Sequence, residues 1–324
     1  MADYINIYGQ DILAVASDPA NPTVGQIWYN TTSNTLKGGG VTTSGTWATG
    51  NNLNSARREL AGCGTQTAGL AIAGNLPPDT GATEEYDGTN WTTSNPMNTA
   101  RAALAGAGDQ TAALGFGGLF TGATEEYDGT SWANNPTGLN TVRWSLAGCG
   151  TQTAGLAFGG TTPSTRTNAT EEYDGSSWTT VNSLNTARTQ LAGAGLQTAG
   201  LAIAGSPSIG VNTNATEEYD GSSWTTSAGT LNTARRYLAG CGIQTAALAF
   251  GGYTTTPTGA TEEYDGTSWT SNPTSLNTAR LLLAGAGTQT AGLAFGGGTP
   301  GGFVAATEEY IGAGSPTTVT ITAS

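Results

Sequence analysis

Six near-copies of one string divide this chain. "ATEEYDGTSW" stands at 123–132, and close relatives begin at 82, 169, 215 and 260. A sixth, "ATEEYIGAGS", begins at 306 and has no tryptophan. A second recurrent string, typified by "LNTAR", contributes Arg57, Arg101, Arg143, Arg188, Arg235 and Arg280, at steps of 44, 42, 45, 47 and 45 residues. A fixed period of this size means that one supersecondary unit recurs, and that neighbouring copies must stack to bury its apolar face.

Each unit contains four short segments: "LAGAG" or "LAGCG", then "QTAGLAFGG", "ATEEYDG" and "SWTT". All are too short for helices, and glycine disfavours helix interiors. The second segment alternates: Ala154, Leu156 and Phe158 fall on one side, Gly155 and Ala157 on the other. Large groups on one face and small groups on the other suit tightly stacked sheets. The "DG" between segments three and four is a hairpin signal, because Gly accepts φ > 0. Four antiparallel strands per unit, six times over, predict an all-β fold: a six-bladed β-propeller.

The repeat resembles kelch. The residues that carry the resemblance are the Arg of "NTAR", the Gly-Gly pair after the apolar strand, "EEYD" and the Trp of the fourth strand, over residues 46 to 312. Blades one and four depart from it, with Ala73-Gly74 and Ala204-Gly205 in place of the glycine pair; the alanines are expected to take a β-compatible backbone. The missing tryptophan of the last copy is assigned to the start of the repeat region. "TWATGNNLNSAR" at 46–57 aligns with "SWTSNPTSLNTAR" at 268, so Trp47 would supply the outermost strand of blade six and remove an open edge. The β-branched "TTVTIT" at 317–322 could compete for that edge.

Residues 1–45 lie outside the repeat. They contain an expected hairpin, "GQIWYN" with "NTLK", and end in a glycine linker before a propeller spanning 46–324. The string "GQIWYNTTSNTLK" is similar to N-terminal pieces of tailed-phage virion proteins. What that resemblance implies is a docking segment, with Tyr4, Ile7, Tyr8, Ile27, Trp28 and Tyr29 as candidate docking residues.

Function classes narrow by elimination. The chain has no histidine, which removes the commonest general base and metal ligand. A net charge of −13, with Lys37 the only lysine, opposes nucleic-acid binding and offers no polybasic membrane contact. "MADYINIYGQ" has neither a basic n-region nor an apolar run, so no secretory signal is expected, nor a transmembrane segment. Cys63, Cys149 and Cys241 lie too far apart for a metal site, are odd in number, and read as core residues. The six Glu-Glu pairs and five Tyr-Asp pairs hold 17 of the 23 acids. Because they recur once per blade, one Glu of each pair is expected to meet the repeat Arg and the other to be solvated, with calcium on an acidic ring as the alternative. No cofactor, metal or catalytic constellation is expected.

The connections differ. Those between strands one and two and strands three and four are near-uniform. Those on the opposite face vary: residues 75–81, 119–122, 161–168, 206–214, 253–259 and 298–305. Irregular loops on a rigid scaffold concentrate function. The expected role is a non-enzymatic structural or adaptor component of a phage virion, meeting other virion proteins through residues 1–40, possible as a homo-oligomer on the particle. The alternative is a receptor- or glycan-binding tip using Phe120, Arg166, Ile209, Tyr253 and Phe303.

Overall fold

The small side chains that fill the second segment of each repeat are what let its sheets stack. In the computed structural model, which describes residues 12–19, 26–41, 44–313 and 316–321, the repeat forms six four-stranded antiparallel sheets. Blade three is representative: Ala147–Thr151, Ala154–Phe158, Thr170–Tyr173 and Trp178–Val181, each paired to the next. The large face of one blade meets the glycines of its neighbour. A Cβ on Gly148 would lie 2.4 Å from Cζ of Phe116 in blade two, a distance no side chain tolerates. Six clusters of Leu, Ile, Phe, Tyr and Trp fill the spaces between blades and form the core.

The chain divides into two compact units, 46–311 and a terminal unit of 1–45 with 312–324. In blade six the outermost strand is Thr46–Gly50, paired antiparallel with Thr307–Ile311 so that Trp47 faces Tyr310. Trp47 does there what the other blade tryptophans do. Its indole N–H donates to Thr261 Oγ1 of the preceding blade at 2.9 Å, as Trp91 does to Thr307 and Trp178 to Thr124.

The C-terminal strand goes elsewhere. Pro316–Thr320 pairs with Thr35–Val41 in the terminal unit, so residues 312–324 do not belong to the propeller as the sequence reading had it. The place beside Thr307–Ile311 for which it could have competed is filled by Thr46–Gly50. In the terminal unit Ile27–Asn30 and Thr35–Val41 form the expected hairpin, and Leu13–Val15 runs parallel to Ile27–Asn30. Trp28 is fully buried and donates to Asp18 Oδ1 at 3.0 Å, so it is a core residue of this unit and not an exposed docking group. Ile27 is half-buried and Tyr29 exposed; Tyr4, Ile7 and Tyr8 lie outside the described residues.

The acidic repeat is a fastening system. The first Glu of each pair is buried against the repeat Arg: Arg143–Glu171 at 3.1 Å, Arg188–Glu217 at 3.2 Å and Arg235–Glu262 at 3.1 Å, with Arg57–Glu84, Arg101–Glu125 and Arg280–Glu308 equivalent. The second Glu is not merely solvated. It accepts a hydrogen bond from the tyrosine of the following blade, as in Tyr219 to Glu172 at 2.8 Å, and the series closes with Tyr86 to Glu309. The glutamine of each "QT" turn adds a second clamp: Gln66 Nε2 donates to the carbonyls of Gly292 and Tyr310 across the seam, at 3.0 and 2.7 Å. Each Asp of "DG" accepts backbone N–H groups of its own turn, for example Asp174 from Ser176 and Ser177. Among the described residues, no cluster of three or more His, Cys, Asp or Glu could hold a metal ion.

Candidate functional site

Between the invariant Arg and the invariant "LAG" each repeat carries two residues. They read Arg58-Glu59, Ala102-Ala103, Trp144-Ser145, Thr189-Gln190, Arg236-Tyr237 and Leu281-Leu282. No residue is common to all six; only the first-position arginine recurs, in Arg58 and Arg236. The second residue of every pair has a left-handed backbone, with φ from 49° to 59° and no glycine among them. Such conformations are uncommon for these residue types and persist where surrounding structure imposes them. Here a ring imposes them: Glu59 N donates to Leu282 O at 2.9 Å, Ala103 N to Glu59 O at 2.8 Å, and so on through Ser145, Gln190, Tyr237 and back to Leu282. Six backbone hydrogen bonds circle the propeller axis and aim six different side chains around a cavity of about 120 Å³ at its mouth.

The first residue of each pair runs beside the variable loop of its own blade. Arg58 bridges to Asn75, Trp144 to Thr161, Thr189 to Ser206 and Arg236 to Tyr253. The variable loops and the variable dipeptides therefore share one face. This dipeptide was missed in reading the sequence, although the signal was present: two unlike residues flanked by invariant ones, six times over.

The structure brings most of the sequence-selected loop residues onto this face, in different roles. Phe120 is 78% exposed and Ile209 88%, the latter at the tip of the hairpin that blade four raises from Ala199–Ser208 and Val211–Tyr219. Tyr253 and Phe303 are half-buried platforms: the Arg236 and Arg58 guanidinium groups each lie 4.8 Å from the ring centre. Phe120 packs against Trp144 in a tilted arrangement, with ring planes at 50° and centroids 5.4 Å apart. Neighbouring loops are stitched together. Arg166 Nε donates to Ser206 O, Asn212 Nδ2 to the carbonyls of Tyr253 and Thr254, and Arg236 to Asn212 Oδ1 at 2.8 Å.

Charge is distributed unevenly. Six of the nine arginines are spent in buried ion pairs, and the other three, Arg58, Arg166 and Arg236, all lie on this face. Burial pushes the Glu59 carboxyl above the usual range, partly offset by Arg58. Burial also raises the Tyr237 hydroxyl, with Arg236 and Arg166 drawing it back and Glu59 adding to the rise. The cysteines take no part. All three are buried, and burial lifts the Cys149 and Cys241 thiols to about 12.

The opposite face carries the uniform turns. The chain enters the propeller at Thr46 and leaves it at Ile311, which are paired with each other at that end. In blade six the two crossings stand where the other blades have a "DG" turn.

The class that fold and site define is a six-bladed β-propeller of four-stranded antiparallel blades with one variable face. Among solved structures it is similar to one titled "Structure of YjhT", a kelch-repeat propeller protein, with a TM-score of 0.66 and 12% identity over 83% of this chain and 99% of that one. At that identity the likeness shows the fold alone. No family model matches the chain, and no curated protein does.

Proposed function

We propose that this chain is a non-enzymatic display and recognition component of a phage virion, attached through its terminal unit and presenting the variable face of its propeller. One observation carries the recognition half. Apart from single positions in the uniform turns, such as Asp109, Leu196 and Ile243, the residues and loop lengths that differ between repeats gather on the face opposite the one where the polypeptide enters and leaves the propeller. Rigid scaffolds that vary only in loops bind through those loops. Aromatic and arginine side chains dominate such binding, and Phe120, Trp144, Tyr237, Arg166 and Arg236 are available here. The partner is a host cell-surface receptor or glycan. The virion attachment rests on the resemblance of "GQIWYNTTSNTLK" to phage virion segments.

Two experiments test the halves separately. A chain cut to residues 46–311 keeps the whole six-bladed ring and loses the terminal unit. It is expected to fold and to be missing from purified particles, and its normal incorporation would end the attachment reading. The double variant Phe120→Ser/Ile209→Ser should lower adsorption of particles to host cells, and unchanged adsorption would count against recognition by this face.

A further inference from the structure

Unengaged hydrogen-bonding groups converge at one place on the variable face. Seven of the eight tryptophans donate their indole N–H to a partner and are buried; Trp144 is half-buried, and its N–H meets no partner among the described residues. The six repeat glutamines clamp neighbouring blades through their amides, whereas the Gln190 amide forms no hydrogen bond among the described residues. Arg166 and Arg236 are the arginines with no carboxylate within ion-pair distance among the described residues. Arg166 uses only its Nε, toward Ser206 O at 3.1 Å, which leaves its two terminal nitrogens to solvent.

Trp144, Gln190 and Arg166 line the same cavity, of about 360 Å³, between blades three and four. That size lies within the ~300–1,000 Å³ typical of small-molecule sites. The rest of its wall is rich in hydroxyls, including Thr161, Thr162, Ser164 and Thr189. Phe120 backs the Trp144 ring, fixing it as a platform.

We infer that this cavity is a subsite for a saccharide that carries a carboxylate. The sugar's apolar face would lie on Trp144, its hydroxyls would meet the Gln190 amide and the threonines, and its carboxylate would pair with Arg166. Two features favour this class. A hydroxyl-rich wall beside one aromatic ring matches the alternating polar and apolar faces of a pyranose. An arginine without a carboxylate partner, in a chain of net charge −13, has been kept from the many acids available to it and retains a planar fork suited to an external carboxylate.

The inference rests on the recognition reading and names its ligand class. Trigalacturonate, neutral galactotriose and a tetraglutamate peptide, each titrated to millimolar concentration against the full chain, distinguish the possibilities by calorimetry and by the part of the tryptophan fluorescence change that Trp144→Ala abolishes. Trigalacturonate is expected to bind in preference to galactotriose and to weaken as salt rises. Arg166→Gln should reduce its affinity by roughly tenfold or more and leave galactotriose unchanged. Trp144→Ala should weaken both sugars. Failure to bind trigalacturonate, binding indifferent to both variants, or equal affinity for tetraglutamate overturns the inference. Particle adsorption separates this from the broader reading. If adsorption survives Arg166→Gln and Trp144→Ala but is lost with Phe120→Ser/Ile209→Ser, the subsite falls and the variable-face reading stands; if all leave it intact, both fall.

Discussion

Replacing Trp47 by alanine is expected to open the propeller at one seam. The indole is 8% exposed and lies 5.0 Å, centre to centre, from both Phe250 and Tyr310. Its N–H holds the buried Thr261 Oγ1. Truncation of a core aromatic costs about 3–5 kcal/mol, and the loss of the Thr261 bond places this change toward the upper part of that range. Trp178→Ala in blade three removes an equivalent ring, with its bond to Thr124, and should cost about the same. The two should differ in where the structure loosens. Trp178 sits on a strand held by covalent connections on both sides. Trp47 sits on Thr46–Gly50, which meets Thr307–Ile311 only through ladder bonds and side chains. Urea midpoints give the cost, and hydrogen exchange gives the location. In Trp47→Ala the amides of 46–50 and 307–311 should exchange first, while in Trp178→Ala they should stay protected. A Trp47→Ala cost below about 1 kcal/mol, or seam amides that remain protected, would refute the closure argument.

Three further outcomes are expected. The tyrosines of the interblade network, Tyr86, Tyr127, Tyr173, Tyr219, Tyr264 and Tyr310, have hydroxyl pKa values raised by burial and by their glutamate partners, to about 12 for Tyr127 and Tyr264. Their stabilisation is therefore complete below the unfolded value near 10 and lost as pH rises through the folded values, so urea midpoints should be flat from neutrality to about pH 10 and then fall; a flat profile through pH 12 would contradict the network. In the glycine pair of blade three a Cβ would meet a carbonyl at either position, Arg188 O at 2.8 Å for Gly159 and Trp144 O at 2.9 Å for Gly160, so φ decides: Gly160→Ala should be the more costly change because its φ is 104°, whereas Gly159 at 65° is near the 53° and 55° that Ala73 and Ala204 adopt at the same place in blades one and four; Gly159→Ala should cost only about 1–2 kcal/mol, and equal costs would refute the assignment. The three thiols should resist an aromatic disulfide reagent in the native protein and react on unfolding; stoichiometric labelling of folded protein would show that they are not core residues.

The blade count and strand order were legible because period, alternation and turn chemistry all agreed. Trp47 sits where the match of "TWATGNNLNSAR" to the other outer strands puts it. Periodicity marks a residue's place within a blade but not what it touches in the next one. That is why the second Glu of each pair read as solvated, when its partner is a tyrosine one blade onward. Backbone strain was misread for a related reason. Ala73 and Ala204 were expected in the β region, yet they have φ of 53° and 55°, because the chain must turn there whether or not glycine supplies the turn. In both blades the strand then continues into a longer hairpin through a bulge. The C-terminal strand carried no register signal, since β-branched residues suit any open edge. The variable dipeptides carried no length signal, since they vary in composition at constant length.

The most direct test of the central claim compares the two faces of the propeller in one binding measurement. Labelled full-length chain is applied to a panel of bacterial cells, alongside a variable-face variant, Phe120→Ser/Arg166→Gln/Ile209→Ser/Arg236→Gln, and a uniform-face variant, Leu196→Ser/Ile243→Ser. Leu196 and Ile243 are about half exposed, at 50% and 52%, so both sets alter surface residues. The expected result is loss of binding in the variable-face variant and wild-type binding in the other. Retained binding in the variable-face variant, or loss confined to Leu196→Ser/Ile243→Ser, would contradict recognition through the variable face.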